Sequence, residues 1–315
     1  MDYINIVLGL FLLAMGGEFL VKGSVSLALR LKISTLVVGM TVVSFATSAP
    51  ELFVSLDAAL GGYPDISLGN VIGSNISNIG LVLGFTALIF PLKVTNDTYE
   101  KNYPMLLVVS SVFVLLIYQF QAIQFWMGII FVLTLLIFVL IIIRSSRKKV
   151  VQTPQNDEFF EQVKSFSLWK SITYLILGGL ALYFGADFLI NGAITIARVW
   201  GVTERIISIS VIAIGTSVPE LAASLIAAVR KEESLAIGNL LGSNIFNVLA
   251  VLGITSLVTD IPVEDAKIFT KDIWIMLGFV LLLYPVMRVY SKSTINRFEG
   301  SLMLLAYISY IYFLK

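Results

Sequence analysis

Long apolar runs dominate the chain, and polar residues gather in short breaks between them. Runs of spanning length, about 17 residues or more, fall near 3–29, 33–60, 66–90, 103–119, 122–144, 169–198, 203–229, 234–258, 270–289 and 296–314. The pattern predicts an all-α integral membrane protein with ten transmembrane helices. The first run is long enough to span and has no basic flank or small-residue cleavage site, so it reads as a retained helix, not a signal peptide. Connections are short except for 145–168, where Arg147-Lys148-Lys149 is followed by Asp157-Glu158 and Glu161. Phe159-Phe160 could rest on the membrane surface, but the expectation for this stretch is a solvated linker.

Two runs carry a sequence that apolar helices normally avoid. Thr47-Ser48-Ala49-Pro50-Glu51 interrupts the second, and Thr216-Ser217-Val218-Pro219-Glu220 interrupts the seventh. An ionisable residue at membrane depth marks a functional site by default. The two stretches belong to a repeat, because a shift of 169 residues overlays the chain on itself without a gap. Gly16 falls on Gly185, Glu18 on Asp187 and Glu51 on Glu220. Gly69 to Asn78 falls on Gly238 to Asn247, with seven of the ten pairs identical. Residues 1–144 and 169–315 then form two five-helix repeats joined by a cytoplasmic linker, 145–168. An odd number of helices turns the second repeat over, which is the inverted design of many secondary transporters.

The repeated residues share one chemistry. Pro50 has no amide hydrogen and clashes with the carbonyl four residues back, so it frees the Ala46 carbonyl, as Pro219 frees that of Gly215. Freed backbone groups at membrane depth need protein or a wet cavity beside them. The expectation is therefore broken helices 2, 3, 7 and 8 at the core. Helical spacing places Thr47, Ser48 and Glu51 on neighbouring positions. Asn70, Ser74 and Asn78, like Asn239, Ser243 and Asn247, recur every four residues and make a polar stripe. Glycines at 69, 73 and 84, and at 238, 242 and 253, would let these helices approach closely. Ser55 and Ser224, one turn past each Glu, are expected to bond their own backbone. Glu18 and Lys22 are spaced to pair with each other.

Composition narrows the chemistry. The chain is 58% hydrophobic and 13% charged, with a net charge of +1, so nothing points to nucleic acid. It has no cysteine and no histidine, the ligands softer metals would want, and the repeated polar residues offer oxygen donors that suit a hard cation. Two ionised glutamates give the site a charge of −2, which one Ca²⁺ neutralises. Bare carboxylates in a low-dielectric cavity are costly, so an empty site should resist crossing, and obligatory exchange follows. Fifteen Lys and Arg fall on one side of the predicted topology and five on the other, with Lys22 inside the first run. The positive-inside rule makes the richer side cytoplasmic and turns both termini outward.

The motif residues resemble those of the cation/Ca²⁺ exchanger superfamily, and the chain looks like a prokaryotic Na⁺/Ca²⁺ exchanger-like protein. The resemblance rests on Ala46 to Glu51, Gly215 to Glu220, Gly69 to Asn78 and Gly238 to Asn247. It implies a multi-pass antiporter of the cell membrane, not an enzyme, without a cofactor. The ions are cargo, and a monomer in lipid is expected. It makes Glu51 and Glu220 the central Ca²⁺ carboxylates and has Thr47 and Thr216 contribute backbone oxygens. Ser48, Ser74, Ser217 and Ser243 would serve neighbouring Na⁺ sites, Ser44 and Ala213 would lend carbonyls to them, and Asn78 and Asn247 would close the centre. Helices 1 and 6 would slide over the other eight. Some members carry Asp where this chain has Asn247, and Asn argues against K⁺ co-transport. Rival readings are H⁺/Ca²⁺ exchange, since burial favours the protonated form of a carboxyl, an intramembrane metal-dependent hydrolase, and a cation-gated receptor or channel.

Overall fold

The computed structural model describes residues 2–147, 158–201, 215–288 and 293–313. Helix α1 runs over Asp2–Leu31. Ser34, in extended backbone, accepts from the Val37 amide and caps α2, Thr35–Thr47. α2 meets α3, Ala49–Leu60, at a 44° bend beside Ser48. The bend is where Pro50 withholds its N–H. α4, Pro64–Ile89, opens on a proline, whose missing donor costs nothing in a first turn. α5 is Thr98–Phe120, α6 Phe125–Arg147, α7 Glu158–Lys164 and α8 Leu168–Val199. α9 is Val218–Val229, α10 Glu233–Val258, α11 Ile268–Arg288 and α12 Arg297–Phe313.

Among the described residues, seven helices are long and apolar enough to cross a membrane, and the bent α2–α3 pair makes an eighth. The expected ten are not reached. α9 has 12 residues and begins at the described turn of Ser217, α12 has 17, and residues 202–214 lie outside the description. Leu133, Leu136, Ile137 and Leu140 on α6 stand exposed, as a lipid-facing surface requires.

The expectation of broken helices holds for α2–α3 and needs correcting for α4 and α10. Both run through without a break. Each contains a π-helical turn instead, at Asn78–Leu83 and Asn247–Leu252. No proline removes a donor there, so the extra residue is absorbed by i→i+5 bonding. The start of the run containing α9 lies outside the described residues. The chain is also not wholly helical. Two-residue strands β1 (Leu92–Lys93) and β4 (Thr294–Ile295) pair antiparallel, as do β2 (Ala122–Ile123) and β3 (Ile261–Pro262). Backbone groups between helices need partners too.

The offset read from the sequence recurs in the elements. α3 and α9, α4 and α10, and the two π turns within the last pair all begin and end 169 residues apart.

The chain forms two compact units, each drawing on both halves. The first joins Met1–Thr47 to Leu140–Asn239. Its backbone is the α1–α8 pair, packed at glycines. A Cβ on Gly16 would meet the Leu182 amide nitrogen at 2.8 Å, and one on Gly178 would meet the Leu20 nitrogen at 2.6 Å. α7 packs on α1, with Phe159, Val163 and Phe166 buried. Arg30 donates to the Phe166 carbonyl, and the Lys170 ammonium sits 3.8 Å from the Phe166 ring centre. The described end of the linker is thus docked, not solvated, because its aromatic face finds apolar cover. The second unit joins Ser48–Val139 to Leu240–Lys315. In it α3, α4 and the Asn247–Leu252 turn pack together, and α12 lies against the end of α4. A Cβ on Gly84 would meet the Gly300 carbonyl at 3.0 Å.

Candidate cation site

The two motifs fold alike. Ser48 has φ −88° and ψ 3°, and Ser217 has φ −92° and ψ 2°. The carbonyl of each receives the first amide of the new helix, Leu52 N at 3.2 Å and Leu221 N at 3.0 Å. Proline occupies the first turn in both cases, and Glu51 and Glu220 follow it. A carboxylate in that position faces the positive end of the helix dipole. Both glutamates are 0% exposed. The bend falls between Thr47 and Glu51, so the spacing of an uninterrupted helix does not relate them.

In the first unit, Asn239 organises the polar residues around α2 and α9. Its amide donates to Ser224 Oγ at 3.1 Å, and its Oδ1 accepts from Thr47 Oγ1 at 3.2 Å. Ser44 Oγ lies 2.8 Å from the Gly39 carbonyl and 2.9 Å from that of Asn239. Thr216, Ser217 and Glu220 belong to this unit, with Ser217 and Glu220 buried and Thr216 half-buried. Ala213 lies outside the described residues.

In the second unit, Asn70 does the equivalent work between α3 and α4. Its amide donates to Ser55 Oγ at 2.9 Å and to the Glu51 carbonyl at 3.1 Å. Ser55 and Ser224 therefore bind the neighbouring helix's asparagine, and the expectation that they serve their own backbone is corrected on that point. Ser48, Ser74, Asn78, Ser243 and Asn247 are all buried in this unit. Asn78 and Asn247 each open a π turn, a device often found at functional positions.

Several buried oxygens lack a hydrogen bond, the Ser24, Ser67, Thr86, Ser110 and Thr255 hydroxyls among them, and four others belong to the predicted ligands. Among the described residues, Ser48 Oγ, Ser217 Oγ, Asn78 Oδ1 and Asn247 Oδ1 are enclosed and have no hydrogen-bond partner. Such groups are rare and call for water or an ion. They are neutral oxygen donors, matched to hard cations that take six to eight oxygens. Within the described residues no three His, Cys, Asp or Glu gather as a metal cluster.

Two expectations concern neighbouring residues. Lys22 pairs with Glu18 at 3.0 Å, as its spacing predicts. Arg230, just past α9, adds a two-pronged contact to the same carboxylate at 2.6 and 2.9 Å, a partner 212 residues away that spacing could not name. Asp187 accepts from Asn191 at 3.0 Å. Among the expected close-approach glycines, Gly84, Gly238 and Gly253 are pressed against neighbours. Nothing described stands within 4 Å of a Cβ at Gly69 or Gly73, so close packing does not explain those two.

Comparison with known proteins places the chain. It is 38% identical over 316 residues to CaxA of Alkalimonas amylolytica, provisionally named an antiporter, covering 99% of this chain and 98% of that one. It is 27% identical over 344 residues to the sodium/calcium exchanger MaX1 of Methanosarcina acetivorans, covering 98% and 97%. The solved structure of the sodium–calcium exchanger NCX_Mj, soaked with Na⁺ and Ca²⁺, matches with a TM-score of 0.82 at 30% identity, covering 100% of this chain and 98% of that one. The profile of the family described as sodium/calcium exchanger protein matches residues 2–144 and 170–315. With nearly every residue matched, the chain belongs to the sodium/calcium exchanger protein family.

Proposed function

We propose that this chain is a secondary antiporter that exchanges Na⁺ for Ca²⁺ across the cell membrane and serves Ca²⁺ extrusion. The observation that carries the reading is the paired local build at Ser48–Glu51 and Ser217–Glu220: the same dihedral angles, a proline in the first turn, then a fully buried carboxylate. Glu51 and Glu220 are the Ca²⁺ carboxylates. Thr47, Thr216, Ser44 and Ala213 supply backbone oxygens. Ser48, Ser74, Ser217 and Ser243 serve Na⁺, and Asn78 and Asn247 complete the coordination.

Ten spans in two inverted repeats, 1–144 and 169–315, complete the topology, with both termini outward and 145–168 cytoplasmic. α1 and α8 act as one sliding element. Backbone contact at Gly16 and Gly178 supports that, since such a pair moves as a body. Access alternates because two buried carboxylates cannot cross without counter-charge. The chain works as a monomer in lipid. ⁴⁵Ca²⁺ uptake into proteoliposomes, compared under outward Na⁺, K⁺ and H⁺ gradients, tests the reading. Uptake that follows Na⁺ alone is expected. Uptake that follows the H⁺ gradient would make it a proton-coupled exchanger, and uptake without any counter-gradient would make it a channel.

A further inference from the structure

Four asparagines in the second unit form a reciprocal hydrogen-bonded set, and two of them have no role so far. Asn78 Nδ2 donates to Asn244 Oδ1 at 3.4 Å, and Asn247 Nδ2 donates to Asn75 Oδ1 at 3.1 Å. Asn75 and Asn244 stand 169 residues apart, as do Asn78 and Asn247, so each bond is the repeat image of the other. All four side chains are buried, with exposures no higher than 1%. The set is tied at one corner. Asn75 Nδ2 donates to the Asn244 main-chain carbonyl at 3.3 Å and lies 3.8 Å from Met276 Sδ. A carbonyl can only accept, so the Asn75 amide is fixed with its nitrogen toward Asn244 and its oxygen toward Asn247. Asn247 must then present its nitrogen to Asn75, which leaves its own Oδ1 without a partner among the described residues, as found. On the other side Asn244 Oδ1 accepts from Asn78, no carbonyl holds the Asn244 amide, and both Asn244 Nδ2 and Asn78 Oδ1 are enclosed without a hydrogen-bond partner among the described residues.

An amide side chain has one face that attracts a cation and one that repels it, and the two differ only by a half-turn. We propose that Asn75 and Asn244 are positioning residues: each accepts the amide hydrogen of the other repeat's site asparagine and holds its oxygen available to the transported ion. The proposal rests on the assignment of Asn78 and Asn247 as ion ligands. It also gives a reason why Asn and Asp at position 247 are not equivalent in this chain. A carboxylate there would set its oxygens against Asn75 Oδ1 and pull the Asn75 amide off the Asn244 carbonyl.

The test is a double-mutant cycle on the full-length protein, read as equilibrium ⁴⁵Ca²⁺ binding in detergent and as KM and maximal rate of uptake in proteoliposomes. Asn75→Leu is expected to lower Ca²⁺ affinity by roughly tenfold or more, since it frees a charge-facing amide to turn its nitrogen inward. Asn247→Asp has two equivalent oxygens and needs no orienting. It should therefore raise Ca²⁺ affinity far more in the Asn75→Leu background than in the wild type, and a merely structural role for Asn75 would not produce that non-additivity. Asn244→Leu with Asn78→Asp is the second, independent cycle should Asn75→Leu fail to fold. Additive effects in a folded cycle, with Asn75→Leu costing the same factor whichever residue occupies 247, would overturn the proposal and leave the transport reading intact. A wild type that neither binds nor carries Ca²⁺ would overturn both.

Discussion

The α1–α8 contact offers a quantitative test of how the first unit is held together. Gly16→Ala adds one methyl group. Its carbon would sit 2.8 Å from the Leu182 amide nitrogen and 2.9 Å from the Gly178 carbonyl oxygen. Both are backbone atoms of α8, so neither can swing aside. Relieving the clash to an ordinary carbon contact of about 3.5 Å separates the helices locally by roughly 0.6 Å. A gap of that size forfeits about a quarter to a half of each dispersion contact, worth about 0.1–0.2 kcal/mol apiece. Over some twenty contacts around the crossing, that comes to roughly 1 kcal/mol, at the low end of the 1–3 kcal/mol typical of overpacking. Thermal unfolding in detergent should show a fall of about 1–2 °C. Gly278→Ala is the control, because it lies on an exposed face of α11 with nothing described within 4 Å of the new carbon. It should hold or raise the midpoint, since alanine is the better helix former. Equal falls for both variants would refute backbone contact as the basis of the α1–α8 pair.

Three further outcomes follow from named contacts. Asn239→Leu removes the buried bonds to Thr47 and Ser224 and should cost about 1–3 kcal/mol in the same unfolding assay; an unchanged midpoint would count against Asn239 as an organiser of that unit. Arg230→Met breaks the contact with Glu18, but the arginine side chain is 41% exposed, so the loss should stay below about 1 kcal/mol and shrink further as salt is raised. A larger, salt-independent loss would mean the pair is more enclosed than described. Ser26→Ala removes a buried 2.8 Å bond to Ser171 across α1 and α8 and should cost about 1 kcal/mol, while a gain in stability would show the bond to be poorly formed.

Much of this was legible in the sequence, and the reasons can be traced to particular residues. Helix limits were readable because lipid demands apolar runs: 169–198 became Leu168–Val199, and 234–258 became Glu233–Val258. The break at Ser48 was readable because Pro50 lacks a donor. The π turns were not, because an extra residue in a turn leaves no signature in composition. Periodicity speaks only within one element, so the Glu18–Lys22 pair was foreseen and its Arg230 partner was not. The Asn70–Ser55 and Asn239–Ser224 bonds were hidden for the same reason. Asn75 and Asn244 did carry a signal, since they are identical across the repeat and three residues before a proposed ligand. That spacing says they neighbour Asn78 and Asn247 on their own helices. It does not say that each would serve the ligand of the opposite repeat. Docking of α7 was missed because Phe159, Val163 and Phe166 needed α1 as their cover before their burial made sense.

The central claim is that two buried glutamates carry Ca²⁺ in exchange for Na⁺. The most direct measurement is ⁴⁵Ca²⁺ uptake into Na⁺-loaded proteoliposomes by the wild type, Glu51→Gln and Glu220→Gln, with monodisperse elution and thermal unfolding confirming that each variant folds. The account predicts Na⁺-dependent uptake by the wild type and none above background in either folded variant. Near-normal uptake by either one would contradict it.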